Sequence, residues 1–200
     1  MASAKKYFSD FDVQVTVDEK GRKKRILIYK GNTFEMEVPE ETLLRRKIVV
    51  LAFTLVMIGT GIAGNLLNVS GNRAGIPAAA GLMAFVPMFF VLYSAIYSLI
   101  LRTTTLQRAQ YRETSLFMKV GAGAVVIFAL TAMVGHIVVA FLGEIPEERG
   151  GELLAAGLWC VTVILAAVLF LLEMKTKYTE RRNDGTIVRK EHFRRGSESY

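Results

Sequence analysis

His136 is the residue of this chain best placed to do chemistry. It lies inside the apolar run Val120 to Leu142. An ionisable side chain in such a run is a functional candidate, because hydrocarbon penalises charge and polar groups there are rarely idle. At 1.5 Å per helical residue it sits about 9 Å inside the Leu142 end. Thr60 takes a matching depth in an earlier run, and Trp159 and Cys160 reach a similar level in a later one. Thr60, His136, Trp159 and Cys160 are therefore a candidate polar layer, near Met83 and Pro87. Three chemistries suit it. The imidazole is neutral and hydrogen-bonded to a threonine or a freed carbonyl; or it exchanges a proton or touches a substrate; or His136, Cys160 and Met133 or Met83 hold a soft metal, since thiolate and thioether ligands suit Cu(I). Spacing alone does not say which of these side chains face each other.

Other reactive constellations are missing. The chain has 2 His and 1 Cys, too few for paired haem ligands within the apolar runs, a redox cysteine pair or a cysteine-rich metal site. The first run lacks the carboxylate of a small multidrug exporter. A zinc-protease motif, a phosphate-binding glycine loop and a Ser-His-acid set are absent. The expectation is a chain that is not an enzyme and holds no cofactor or metal.

The elements that must position these residues are four apolar runs, Ile48 to Leu67, Ile76 to Leu101, Val120 to Leu142 and Leu153 to Leu172. Each reaches the about 20 residues a helix needs to cross the roughly 30 Å hydrocarbon layer. The fold class expected is an all-α integral membrane protein, a four-helix transmembrane bundle with a small cytoplasmic β-meander. Pro87 should kink the second span by freeing the carbonyl of Met83. Tyr93, Ser94, Tyr97 and Ser98 form a stripe beyond it, readable as an interfacial aromatic belt or as the lining of a wet cavity.

Charge sets the topology. Of the 25 Lys and Arg residues, only Arg73 and Arg149 lie in the first and third connections between spans. The rest precede the first span, follow the fourth or join the middle two. Basic residues stay cytoplasmic in short-looped membrane proteins, so both termini are expected inside a cell (inner) membrane. The net charge of +7 is explained by this bias and does not call for nucleic acid. Arg45, Arg46 and Lys47 abut the first span as a basic anchor suited to anionic lipid headgroups. The first apolar run begins at Ile48, too late for a cleavable signal peptide.

Residues 1–39 read as a β-rich cytoplasmic segment, 40–172 as the four-span domain and 173–200 as a basic tail. Phe11 to Val17, Arg25 to Tyr29 and Phe34 to Val38 carry β-type residues, separated by Asp18 to Gly21 and Gly31-Asn32. This predicts a three-stranded antiparallel meander. Glu40 to Lys47 should run as helix into span one. In the tail, Asn183-Asp184-Gly185 predicts a hairpin that packs on or extends the meander; a disordered tail, frayed beyond Gly196, is the alternative.

The two helical hairpins also resemble each other. Val49, Val50, Met57, Gly59 and Leu66 align with Val125, Val126, Met133, Gly135 and Leu142. Arg73 and Gly75 then meet Arg149 and Gly151, and Ala79-Ala80-Gly81-Leu82 meets Ala155-Ala156-Gly157-Leu158. This pattern predicts two parallel hairpin repeats about an axis along the membrane normal. Gly59, Gly81, Gly135 and Gly157 are its helix-packing candidates, since small residues let backbones approach in lipid.

The general plan resembles small four-span proteins of bacterial inner membranes. Two functions fit. One is a non-catalytic subunit or adaptor of a membrane complex, working with a membrane-protein partner or a second copy. The other is a small oligomeric solute or ion transporter built on the repeat interface.

Overall fold

The computed structural model describes residues 10–17, 23–73, 75–101, 103–143, 146–182 and 186–192. Two compact units emerge, one of residues 37–104 and 111–177, the other of the remaining polar segments.

The larger unit contains four helices long and apolar enough to cross a membrane. They are α1 (Glu40–Leu66), α3 (Ile76–Leu101), α4 (Phe117–Leu142) and α5 (Arg149–Lys175). A single turn, α2 (Ser70–Arg73), joins the first two. The long helices have 26 or 27 residues, about 40 Å each. Their ends therefore reach past a roughly 30 Å hydrocarbon layer. The proximal end of the bundle holds Glu40 and Lys175, and the distal end holds α2 and the α4–α5 connection.

α1 starts at Pro39, whose carbonyl accepts the N–H groups of Thr42 and Leu43 at 3.0 and 3.1 Å. It packs on α3 and α5, and α4 packs on the same two helices. The buried positions of α5 are Glu152, Ala155, Ala156, Trp159, Thr162, Ala166 and Leu169. Those of α4 include Met118, Ala122, Val125, Ala129, Ala132, His136 and Ala140. Steps of mostly three and four keep these positions on one face of each helix. Alanine dominates it because lipid supplies no hydrophobic force between helices, and close backbone contact must do so. At Gly135 a Cβ would lie 2.6 Å from Cγ of Pro77, so α4 touches α3 through a glycine.

α3 runs unbroken through Pro87, which is buried. A π-helical stretch, Arg112–Leu116, leads into α4. It meets two residues of the polar stripe of α3. Tyr93 donates to Oε2 of Glu113 at 3.0 Å and stacks on Tyr97 at 5.8 Å. Ser94 is buried and donates to the carbonyl of Thr114.

The smaller unit holds six described strands in two sheets. They are β1 (Phe11–Val17), β2 (Lys23–Tyr29), β3 (Thr33–Met36), β4 (Thr105–Gln107), β5 (Tyr178–Arg181) and β6 (Thr186–His192). The orders are β1-β2-β6 and β4-β3-β5, every pairing antiparallel. Phe11 faces Tyr29 across the first sheet, with ring centroids 5.2 Å apart.

The expected meander is thus corrected. β1 and β2 pair, but β3 leaves them to lie between β4 and β5. Tyr29 shows how the chain turns away. Its buried hydroxyl donates to the Asn32 carbonyl at 2.9 Å and accepts the Arg108 N–H at 3.1 Å. The free edge of β2 goes to the tail. β5 and β6 do not form the expected hairpin with each other; they pair with β3 and β2. Alternation of side chains identifies a strand but not its neighbour. β4 was not anticipated, being a three-residue strand in a connection. The turns at 18–21 and 183–185 and the segment beyond Gly196 lie outside the described residues.

Candidate functional site

The distal end of the bundle is where polar groups gather, and the reason is local. α1 ends at Leu66 and leaves carbonyls without helical partners, which lipid cannot satisfy. α2 folds back to supply them. The side-chain amide of Asn72 donates to the carbonyls of Gly64 and Leu67 at 2.7 and 2.9 Å. α4 is treated alike, since Nε of Arg149 donates to the Ala140 carbonyl at 2.9 Å.

α2 in turn has N–H groups to satisfy, and two carboxylates from the start of α5 accept them. Glu148 and Glu152 are four residues apart, so they share a face. Oε2 of Glu148 accepts both the N–H and the hydroxyl of Ser70, at 2.7 and 2.5 Å. Its Oε1 lies 3.0 Å from Nη2 of Arg73. One turn deeper, Oε1 of Glu152 accepts the Gly71 N–H at 2.7 Å. Oε2 of the same carboxylate lies 2.6 Å from Nδ1 of His136.

This imidazole–carboxylate pair is sealed, with side-chain exposures of 0% and 2%. One oxygen of the Glu152 carboxyl accepts the Gly71 N–H, and the other is hydrogen-bonded to Nδ1 of His136. Gly71 lets the pair form, since a Cβ there would lie 2.7 Å from Nδ1 and 2.8 Å from Oε2 of Glu152. Nε2 of His136, Nε1 of Trp159 and Oδ1 of Asn72 are buried without a hydrogen-bond partner among the described residues. Such atoms are few in folded proteins. The site ties α2 to both α4 and α5.

The structure separates the expected layer. His136 meets neither a threonine nor a freed carbonyl; its partner is Glu152. Charge counting starts the fourth span at Leu153, but α5 begins at Arg149, and a carboxylate can lie buried where it is paired and hydrogen-bonded. Thr60 instead meets Thr162, their hydroxyls 2.9 Å apart across α1 and α5. Trp159 is fully buried against the glycine face of α1. Its ring is the nearest contact of a Cβ built on Gly64, and Gly61 and Gly81 also abut it. Cys160 is exposed on the outside of the helix, as is Met83, so His136, Cys160 and Met83 are not brought together.

The other candidates divide similarly. Gly81 and Gly135 are tightly packed, whereas a Cβ on Gly59 or Gly157 would meet nothing within 4 Å. Arg45 is exposed, Arg46 is half-buried and Lys47 is buried. The three cannot act as one surface cluster, because successive helical residues point about 100° apart. Sequence reasoning missed Glu152, Glu148, Ser70, Gly71 and Asn72. The one available signal was the four-residue spacing of the two glutamates beside a buried histidine.

No protein-family model, curated protein or solved structure matches the chain.

Proposed function

We propose that the protein is a non-catalytic subunit or adaptor of a membrane complex, with its β unit making the contact. One observation carries this reading. β1 pairs with β2 along one side only among the described strands, and Val13 and Val15 on it are each 56% exposed. An edge strand with bare valines is a template for another chain unless something covers it. The unit also collects three separate stretches of chain, which suits a docking module tethered to the membrane helices by several covalent connections. From the charge bias we place it on the cytoplasmic side of a cell (inner) membrane. The hairpin similarity supports descent from a duplicated unit. α1 and α4 each packing on α3 and α5 is the neighbour pattern that such a twofold requires.

Photo-crosslinkers placed at Val13, and at Leu82 on the lipid-facing side of α3 as control, test the reading in intact cells. A discrete adduct from position 13, identified by mass spectrometry and lost in Val15→Lys, is the expected result. Equal, diffuse labelling from both positions would remove the adaptor reading.

A second reading, transport, is favoured by the buried His136–Glu152 pair. A proton-coupled carrier in liposomes should lose its pH-dependent flux in His136→Ala. Absence of flux from the wild type under proton and solute gradients counts decisively against it.

A further inference from the structure

We propose that the groove between α1 and α5 at their proximal end binds an anionic phospholipid. The phosphate is held by Arg45 and Lys175, and an acyl chain lies on Val49, Val50 and Leu172. The groove is open, with a volume of about 420 Å³, and is lined by these residues with Thr42, Arg46 and Thr176. Its chemistry changes along its length as a lipid's does. The apolar run of α1 starts at Ile48 and that of α5 ends at Leu172. Val49, Val50 and Leu172 are thus at hydrocarbon level, and Arg45 and Lys175 stand about one turn outside it on adjacent helices.

Arg46 builds the wall between them. Its Nη2 donates to the Leu172 carbonyl at 3.3 Å and to Oγ1 of Thr176, and lies 3.8 Å from Oε2 of Glu173. Those contacts hold α1 against α5 and turn the Arg46 guanidinium toward α5. Arg45 and Lys175 are exposed, and among the described residues neither forms an ion pair with a carboxylate. Two free cations above an apolar trough complement a lipid with a net negative headgroup. A free phosphate would use the cations and leave the trough bare. A zwitterionic lipid would use the trough and gain little from the cations.

The test uses the full chain in detergent, with native mass spectrometry of retained lipid. Phosphatidylglycerol and phosphatidylcholine are titrated separately, and inorganic phosphate competes against the first. Each basic residue near an anionic headgroup contributes about fivefold in affinity, so losing two costs about 30-fold. The Arg45→Gln, Lys175→Gln double variant should lose phosphatidylglycerol by that factor. Lys177→Gln, outside the groove, should not. Val49→Trp, which fills the trough and removes no charge, should also weaken binding. The proposal fails if the two lipids are retained equally, if the double variant binds as wild type, or if millimolar phosphate displaces the lipid. It stands apart from the adaptor reading, because neither cation belongs to the β unit.

Discussion

Replacing Glu152 by Leu should destabilise the bundle more than replacing Glu152 and His136 together. The single change removes the hydrogen-bond partner of two buried groups, Nδ1 of His136 at 2.6 Å and the Gly71 N–H at 2.7 Å. Deleting one partner of a buried pair costs about 3–5 kcal/mol, because the group left behind stays desolvated and unpaired. His136 has no second partner to fall back on, since Nε2 is already without one. In the His136→Leu, Glu152→Leu double variant no imidazole remains to be satisfied. What is left is the Gly71 N–H, an unmade bond worth about 1–3 kcal/mol. The double variant should therefore recover about 2 kcal/mol relative to the single one. The assay is reversible unfolding in mixed micelles across all four members of the cycle, followed by tryptophan fluorescence. Trp159 is buried one seam step below Ala155 and Ala156, so it reports on the same helix. Strict additivity, or a single-variant loss under about 0.5 kcal/mol, would refute the claim that the two side chains form one buried unit.

Gly71→Ala should disturb the same pair without touching either partner. Its Cβ would lie 2.7 Å from Nδ1 of His136, and overpacking of this kind costs about 1–3 kcal/mol, measurable in the same unfolding assay. Gly135→Ala should be destabilising, because its Cβ meets the Pro77 ring at 2.6 Å, while Gly59→Ala and Gly157→Ala should leave monomer stability within about 0.5 kcal/mol. A change of oligomeric state in the latter two, read by light scattering in detergent, would mark their faces as assembly surfaces. Trp159→Ala should cost at most about 3–5 kcal/mol, at the low end because the exchange medium is lipid rather than water. In the β unit, the hydrogen bond from Lys30 and its positive charge hold the Asp12 carboxyl below its ordinary range. That contribution is present above the unfolded value of about 3.9 and is lost as pH falls through the lower folded one. Protection of the β1 and β2 amides, exchange measured against the intrinsic rate at each pH, should therefore fall only in strong acid, and a fall near pH 6 would contradict it.

The sequence by itself determined what depends on local composition. Apolar runs long enough to cross hydrocarbon located all four spanning helices, because in lipid a helix satisfies its own backbone. Alternating β-type residues located β1, β2 and β3, and the helix expected from Glu40 begins there. The depth of His136 was legible from the same counting. Its partner was not. Glu152 is 16 residues away, beyond a turn of the chain, and by charge it reads as part of an acidic loop. Only the tertiary structure decided that α5 carries it inside, that α2 folds back to cap α1, and that Gly71 leaves room for the pair. It also decided that Trp159 is buried while the adjacent Cys160 is exposed, a choice set by which face of α5 meets its neighbours. The strands follow the same division, since alternation gives each its faces and leaves open the partner that completes its hydrogen bonds. Hydropathy is summed residue by residue along the chain, whereas the pairing of buried polar groups depends on which distant helices meet.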